Sequence, residues 1–417
     1  MPTISSSRPL YIYLQRPDNG EWVTAGRYIA VGPGAGNFRY APSYVDSGLD
    51  WTIDPVNLPF APGTDYTALR YHGLHDVLRD ACPDAWGQAV LRREYAIPDG
   101  APPLQYLLKA GNTDRWGALA VGTQTRFSDA TLNSPPLPLL EHLVEELGAL
   151  SERRPAIRPA LRRRLVQTAS VGGARPKATV RDDGGAYWLV KPEIGTDPAD
   201  IPRLEHFAQQ WGAASGLDFA ETILHPMAAG RSVVRVRRFD REHMARFMCV
   251  SAASLLQTEY PGNLAQTALW SYPRLADALR LVGAPSEDRI ELFGRMVFNA
   301  VCGNDDDHVR NHAIVYRHEQ RRWRLAPAFD VVPNPADTPH HLVLQLSQGR
   351  FDIARDAVLA DAVRFGFTGR DDCAAWLDIL LARIEAGFAA AAHWLDDEWR
   401  MVLQERMCHM LGILRTG

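Results

Sequence analysis

At 417 residues the chain is longer than one ordinary hydrophobic core, so two or three domains are expected. Hydrophobic residues make up 46% and charged residues 23%, the balance of a globular protein, and a net charge of −4 carries no whole-chain signal for nucleic acid or membrane. Five scattered cysteines with no CxxC pair exclude a disulfide scaffold or zinc ribbon and fit a reducing compartment.

The N-terminus lacks the charged and apolar regions of a secretion signal, and no apolar run reaches roughly 18 residues, so a cytoplasmic protein with no membrane contact is expected. The part up to about Val121 reads as strands and turns. Leu10 to Leu14 and Trp22 to Val31 are aromatic and β-branched, broken by Asp-Asn-Gly. DAWGQAVLRREY (84–95) predicts a helix. The polar, proline-rich stretch 126–138 reads as a linker, with a helix after it over 139–150. Six arginines between 153 and 164 are expected on a solvated face or loop, since no aromatics interleave them.

From about Ser170 the pattern changes. A Gly-rich turn leads to a strand at 187–191, and a helix follows over 203–215, stopped by Gly216. Strands are predicted at 220–225 and 232–239. Long helices then dominate, at 287–302, 371–393 and 396–413, interrupted by a strand pair at 313–316 and 323–325. Strands first and helices later predict an α+β fold, a small mixed lobe and a mostly helical one. The expected boundaries are 1–125, 126–240 and 241–417.

GNDDDHVRN (303–311) is the strongest chemical signal, followed some twenty residues later by AFDVVP (328–333). Asp306, Asn311 and Asp330 are hard oxygen donors of the kind magnesium takes, usually one or two at a time with substrate phosphates. An Asp free of metal can accept a hydroxyl proton while an Asn and a second Asp hold the ion. His308 lacks an HExxH partner and is read as bracing the loop. The plainer reading, three aspartates that only end a helix, explains neither the Asn five residues after Asp306 nor the second Asp.

SVGGARPKA (170–178) and YWLVKP (187–192) form the second signal. Gly172 and Gly173 let a backbone approach phosphate oxygens closely. Lys191 ends an apolar strand, a costly place for an amine without an anionic partner, which Glu205 in the next helix could supply. There is no Walker A pattern. Gly32, Gly34 and Gly36 are wrongly spaced for a dinucleotide fingerprint and read as a loop. No GxSxG elbow supports a hydrolase.

Taken in order, PDAWG (83–87), WGALAV (116–121), SVGGARPKA, WLVKP, RLEHF, RVRRFDR (235–241), NDDDHVRN and AFDVVP resemble the HipA family of bacterial toxin kinases across nearly the whole chain. The resemblance implies a two-lobed protein-kinase-like fold with an N-terminal β-rich subdomain, and an ATP- and Mg2+-dependent Ser/Thr protein kinase. It implies that Lys191 contacts the ATP phosphates with Glu205 as partner, and that Gly172, Gly173 and Lys177 complete the phosphate loop. Arg237 and Phe239 would line the adenine hinge. Asp306 would be the base, Asn311 and Asp330 the metal ligands, and Ser170 a self-phosphorylation site. The implied partners are a protein substrate, such as a translation factor, and a small dimeric helix-turn-helix antitoxin (HipB-like) through which DNA would be contacted. Arg175 and Arg237 depart from the family's common residues. Two other readings are a small-molecule kinase and a non-catalytic repressor subunit, the second opposed by the intact Lys191, Asp306, Asn311 and Asp330 set.

Overall fold

The computed structural model describes residues 8–32, 34–128, 140–167, 175–227 and 231–416. The chain divides into two compact units, one of Met1–Pro192, Asp240–Val250 and Val315–Gln320, the other of Glu193–Phe239, Ser251–Ile314 and Arg321–Gly417. The α+β composition expected from the element pattern is what the chain has: the first unit is built on strands and the second is mostly helical. Among the described residues no helix is long and apolar enough to cross a membrane.

A five-stranded antiparallel sheet forms the first unit's core, in the order Tyr66–Ala68, Gly36–Tyr40, Trp22–Ala30, Leu10–Gln15, Leu119–Gly122. Alternating residues of these strands bury Ile12, Leu14, Tyr28, Phe38 and Tyr40. The buried tyrosines keep their hydroxyls satisfied, Tyr28 donating to the Gly73 carbonyl at 2.9 Å and Tyr40 to that of Leu58 at 2.7 Å. The glycines at 32–36 serve this sheet. Gly32 turns the chain at φ +80°, and at Gly36, the first residue of a strand, a Cβ would collide with the Gly73 carbonyl and the Tyr28 ring. Of the expected 126–138 linker only residues 126–128 are described, and there the Phe127 ring packs on Trp22 (4.2 Å between centroids) and Tyr13 (5.2 Å); the rest of it lies outside the described residues.

The arginine-rich stretch lies at the surface as expected, with Arg153, Arg154, Arg163 and Arg164 exposed, but two of its arginines also serve a buried carboxylate or its neighbour. Its second half is the helix Pro159–Gln167, and Arg162 places its Nε 2.5 Å from Glu146, a carboxylate of the helix Leu140–Ser151 with no exposed side-chain surface. A buried carboxylate needs donors, and Glu146 also accepts the Arg158 backbone N–H at 2.7 Å.

Buried arginines join the first unit's short motifs. Arg115 is 1% exposed and donates to the carbonyls of Ala81 (2.9 Å), Leu107 (2.6 Å) and Ala110 (2.7 Å) and to Asn112 Oδ1 (2.7 Å). Asp240 accepts the Gly117 N–H at 2.8 Å, while Arg241 donates to the Arg115 and Gly117 carbonyls. The residues flanking PDAWG, the start of WGALAV and the end of RVRRFDR are thus tied by backbone carbonyls and guanidinium groups.

In the second unit, Asp200 caps the helix Ile201–Ala214 by accepting the Arg203 N–H at 3.0 Å, and Gly216 follows its end at φ +76°. Trp211 packs edge-on against Phe298 and Phe388 and donates its indole N–H to the Ile384 carbonyl at 2.7 Å. The helices Ser286–Cys302 and Arg370–Ala391 are thereby packed on it; each buried Phe contributes about 1.5–3 kcal/mol. The strands Thr222–Pro226 and Ser232–Arg237 form an antiparallel hairpin beside it.

Burial pulls the Arg115 pKa down to about 10, so the group remains a cation at neutral pH. Arg115→Ala would take the guanidinium donors away from three carbonyls and leave Asn112 Oδ1 with only the Val121 N–H. Urea unfolding should show a loss of about 3 kcal/mol or more; a shift under about 1 kcal/mol would mean the network contributes little.

Candidate active site

The helix Ser286–Cys302 ends because Gly303 takes a left-handed conformation, φ +76°, its N–H donating to the Asn299 carbonyl at 3.0 Å. The chain then enters the 303–312 loop, where three successive aspartates have three different environments. Asp305 accepts the Asn334 amide at 2.7 Å. Asp307 is 1% exposed, accepting the Tyr272 hydroxyl on one oxygen while the other lies 2.8 Å from His312 Nε2. Asp306 is exposed, and no side chain among the described residues hydrogen-bonds its carboxylate. Its backbone carbonyl closes the loop instead, accepting the His308 N–H at 2.9 Å and the Asn311 side-chain amide at 3.0 Å.

That amide contact orients Asn311. With its nitrogen engaged, the 7%-exposed side chain has Oδ1 left to accept or to ligate. His308 stacks on Tyr260 with ring centroids 3.9 Å apart, and its Nδ1 accepts the Arg310 N–H at 3.2 Å.

Asp330 belongs to the same group of charges. Its segment is held by two backbone bonds, Ala220 N–H to the Ala328 carbonyl and Ala328 N–H to that of Asp218, both 2.9 Å. Phe329 packs against Ala220, Val234 and Val236 and faces Phe239 at 5.3 Å. Asp330 itself has φ +60°, a left-handed conformation costing a non-glycine residue about 1 kcal/mol or more. Partial desolvation pushes the Asp306 carboxyl above its ordinary range; the charges of Asp330 and Asp305 add to this and His308 opposes it. Desolvation lowers the His308 pKa, against the pull of Asp306 and Asp330.

The structure therefore brings together Asp306, His308, Asn311 and Asp330 in the second unit. Glu205, also there, is 2% exposed on the helix Ile201–Ala214. Arg237 is exposed and paired with Glu221 at 2.8 Å, and the Phe239 ring is engaged with Phe329. In the first unit, Lys177 and Lys191 are buried, at 7% and 5% exposure. The strands Ala178–Arg181 and Tyr187–Pro192 pair antiparallel with Ala178 opposite Val190, one residue from Lys177 on one strand and from Lys191 on the other. Ser170, Gly172 and Gly173 lie outside the described residues.

The donor set suits a hard cation. Among the described residues no three His, Cys, Asp or Glu side chains form a metal cage. The amide oxygen of Asn311 and the carboxylate of Asp330 instead offer the one or two protein oxygens that magnesium uses when phosphates supply the rest.

The model of the HipA-like C-terminal domain matches residues 169–388. The chain belongs to that family. The HipA-like region thus contains the Asp306 loop, the Asp330 segment, Glu205 and both buried lysines. Y4mE of Sinorhizobium fredii, whose name describes it as a candidate kinase, is 29% identical over 160 residues, a match spanning 36% of this chain and 36% of that protein. A chain from the solved Shewanella oneidensis MR-1 toxin–antitoxin complex of HipA, HipB and operator DNA has the same fold, with a TM-score of 0.70 at 16% identity, over 98% of this chain and 99% of that one.

Sequence reasoning missed the polar residues beneath the HipA-like loop. Tyr272, Asn299 and His312 lie in three separate segments, and only the five-residue spacing from Asp307 to His312 offers any local sign of the contact.

An ionised Asp306 lies in the field of two other carboxylates, so the fold penalises its charge. The penalty is absent below the ordinary carboxyl value of 3.8 and is present in full above the raised folded value. In metal-free buffer at neutral pH, Asp306→Asn should melt above the wild type, the difference fading as the pH falls toward 3.8. A lower melting temperature at neutral pH would show that the carboxylate is structurally required.

Proposed function

We propose that this protein is an ATP- and magnesium-dependent kinase that phosphorylates protein Ser or Thr hydroxyls. The observation that carries the reading is the division of labour among the three aspartates: Asp305 and Asp307 are bonded to protein groups, whereas Asp306 presents an exposed carboxylate with Asn311 and Asp330 beside it. Membership of the HipA-like family supports it, as does the kinase description of Y4mE.

In the proposed reaction Asp306 accepts the proton of the acceptor hydroxyl as its oxygen bonds to the γ-phosphorus. The bond from that phosphorus to the β–γ bridging oxygen breaks, and ADP leaves. Asn311 and Asp330 would hold magnesium, which when bound offsets the negative charge of the phosphates. Lys191 and Lys177, both buried in the first unit, would supply ammonium groups to ATP phosphates. The backbone near Arg237 and Phe239 would receive the adenine. Ser170, after Gly172 and Gly173 have let the loop approach the phosphates, would be the site of self-phosphorylation. Because the Shewanella oneidensis complex contains HipB and operator DNA, a HipB-like antitoxin that carries the DNA contacts is the proposed partner.

Asp306→Ala should lower phosphoryl transfer from γ-labelled ATP by about a thousandfold or more while leaving ATP affinity within a fewfold, because a base acts in the transition state. Wild-type turnover in this variant would remove Asp306 from the mechanism. Calorimetry should find that magnesium strengthens ATP binding to the wild type and has far less effect in Asp330→Ala. Equal magnesium dependence in the two proteins would place the ion elsewhere.

A further inference from the structure

Asp307 and its partners do more than fill the interior. Tyr272 is fully buried in the helix Tyr272–Leu281, and its hydroxyl donates to Asp307 while accepting the Asn299 amide at 3.0 Å. Asn299, from the helix Ser286–Cys302, in turn accepts the Asn304 amide at 3.1 Å. At the other end of the loop His312 meets Asp307 at 2.8 Å, and its carbonyl accepts the Ala252 N–H at 2.8 Å. The chain of contacts thus runs from the loop's entry at Asn304, through two helices, to its exit at His312. Asn299, Asn304, Asp307 and His312 are all under 5% exposed.

We infer that Asp307, held by Tyr272 and His312, is the positioning residue for phosphoryl transfer, fixing the backbone from which Asp306 and Asn311 project. The inference rests on the phosphotransfer reading above. Asp307 is bonded to His312, five residues on, and the carbonyl of Asp306 just before it takes the His308 N–H and the Asn311 amide. The Asp306 carbonyl belongs to the peptide that joins it to Asp307, so fixing the Asp307 side chain restrains that peptide, and losing its partners lets it shift. Asp307 does not serve as a second base or as a metal ligand, because both its oxygens are occupied and its side chain is sealed from solvent. The device is absent from the local sequence pattern, where Asp307 looks like a duplicate of Asp306.

Tyr272→Phe removes one donor to Asp307 and the acceptor for Asn299 at nearly constant volume, so it is the gentlest probe. Its turnover with γ-labelled ATP and casein as acceptor should fall by roughly tenfold to a hundredfold with KM for ATP nearly unchanged, since small misplacements of a reacting group have effects of that size. His312→Leu should behave likewise, and His312→Gln, which keeps an N–H donor, should recover much of the loss. Hydrogen exchange should speed up over 303–312 in Tyr272→Phe and stay unchanged elsewhere. If the wild type transfers phosphate and both Tyr272→Phe and His312→Leu match its turnover, Asp307 has no positioning role. A fall in turnover that tracks a global loss of melting temperature, with no recovery in His312→Gln, also overturns the inference. A wild type that binds ATP but transfers nothing would count against the kinase reading instead. Exchange over 303–312 would then decide the anchoring separately, and an unchanged rate in Tyr272→Phe would sink it.

Discussion

A carboxylate moved out of water must be given donors, because leaving it unpaired costs several kcal/mol. Asp307 meets this demand with a tyrosine hydroxyl and an imidazole, and the loop that carries the candidate chemistry takes its shape from the arrangement. Had Asp307 been exposed, residues 303–312 would lose the tie to Tyr272 and His312 and would rest on the Asn304, Asp305 and Asn311 side-chain bonds, the His308–Tyr260 stack and backbone bonds, a looser hold that opens at lower cost. Because the donors come from a buried helix and from the loop's own far end, the neighbouring Asp306 can remain at the surface with its carboxylate unspent.

The same economy of buried charge recurs in the first unit. Arg115 and Arg241 donate to backbone carbonyls of several separate turns, and Arg162 neutralises the enclosed Glu146. These groups stand where short family motifs meet, so the motifs are largely instructions for hydrogen bonding between distant turns. The RVRRFDR segment shows the division well. Asp240 and Arg241 belong to this structural web, whereas Phe239 packs on Phe329 next to Asp330 in the other unit.

The accumulation of negative charge at Asp305, Asp306 and Asp330 runs against stability, and Asp330 adds a left-handed backbone. Such departures from a comfortable fold are expected where a site must hold a cation or a proton. The surrounding structure bears the strain through ordinary means: the two backbone bonds at Ala328, the Phe329 contacts, and the helix end at Gly303.

Much of the architecture was legible in the residue pattern. Aromatic and β-branched strands broken by Asp-Asn-Gly marked the first sheet, and Gly216 marked a helix end, because these signals depend on neighbours within one turn of chain. The spacing of Asp306, Asn311 and Asp330 singled out the same residues that the fold gathers, since a loop and a nearby segment keep hard oxygen donors in sequence as well as in space. Other assignments were invisible. Nothing local says that Arg162 would enclose Glu146, that Phe127 would leave a polar stretch to pack on Trp22, or which of three consecutive aspartates would be buried. The sequence by itself determined the α+β order of elements and put hard oxygen side chains at Asp306, Asn311 and Asp330, because both follow from local periodicity and residue type. Only the tertiary structure decided that Asp307 is an anchor and Asp306 is free, because burial and hydrogen-bond partners such as Tyr272 come from segments dozens of residues away.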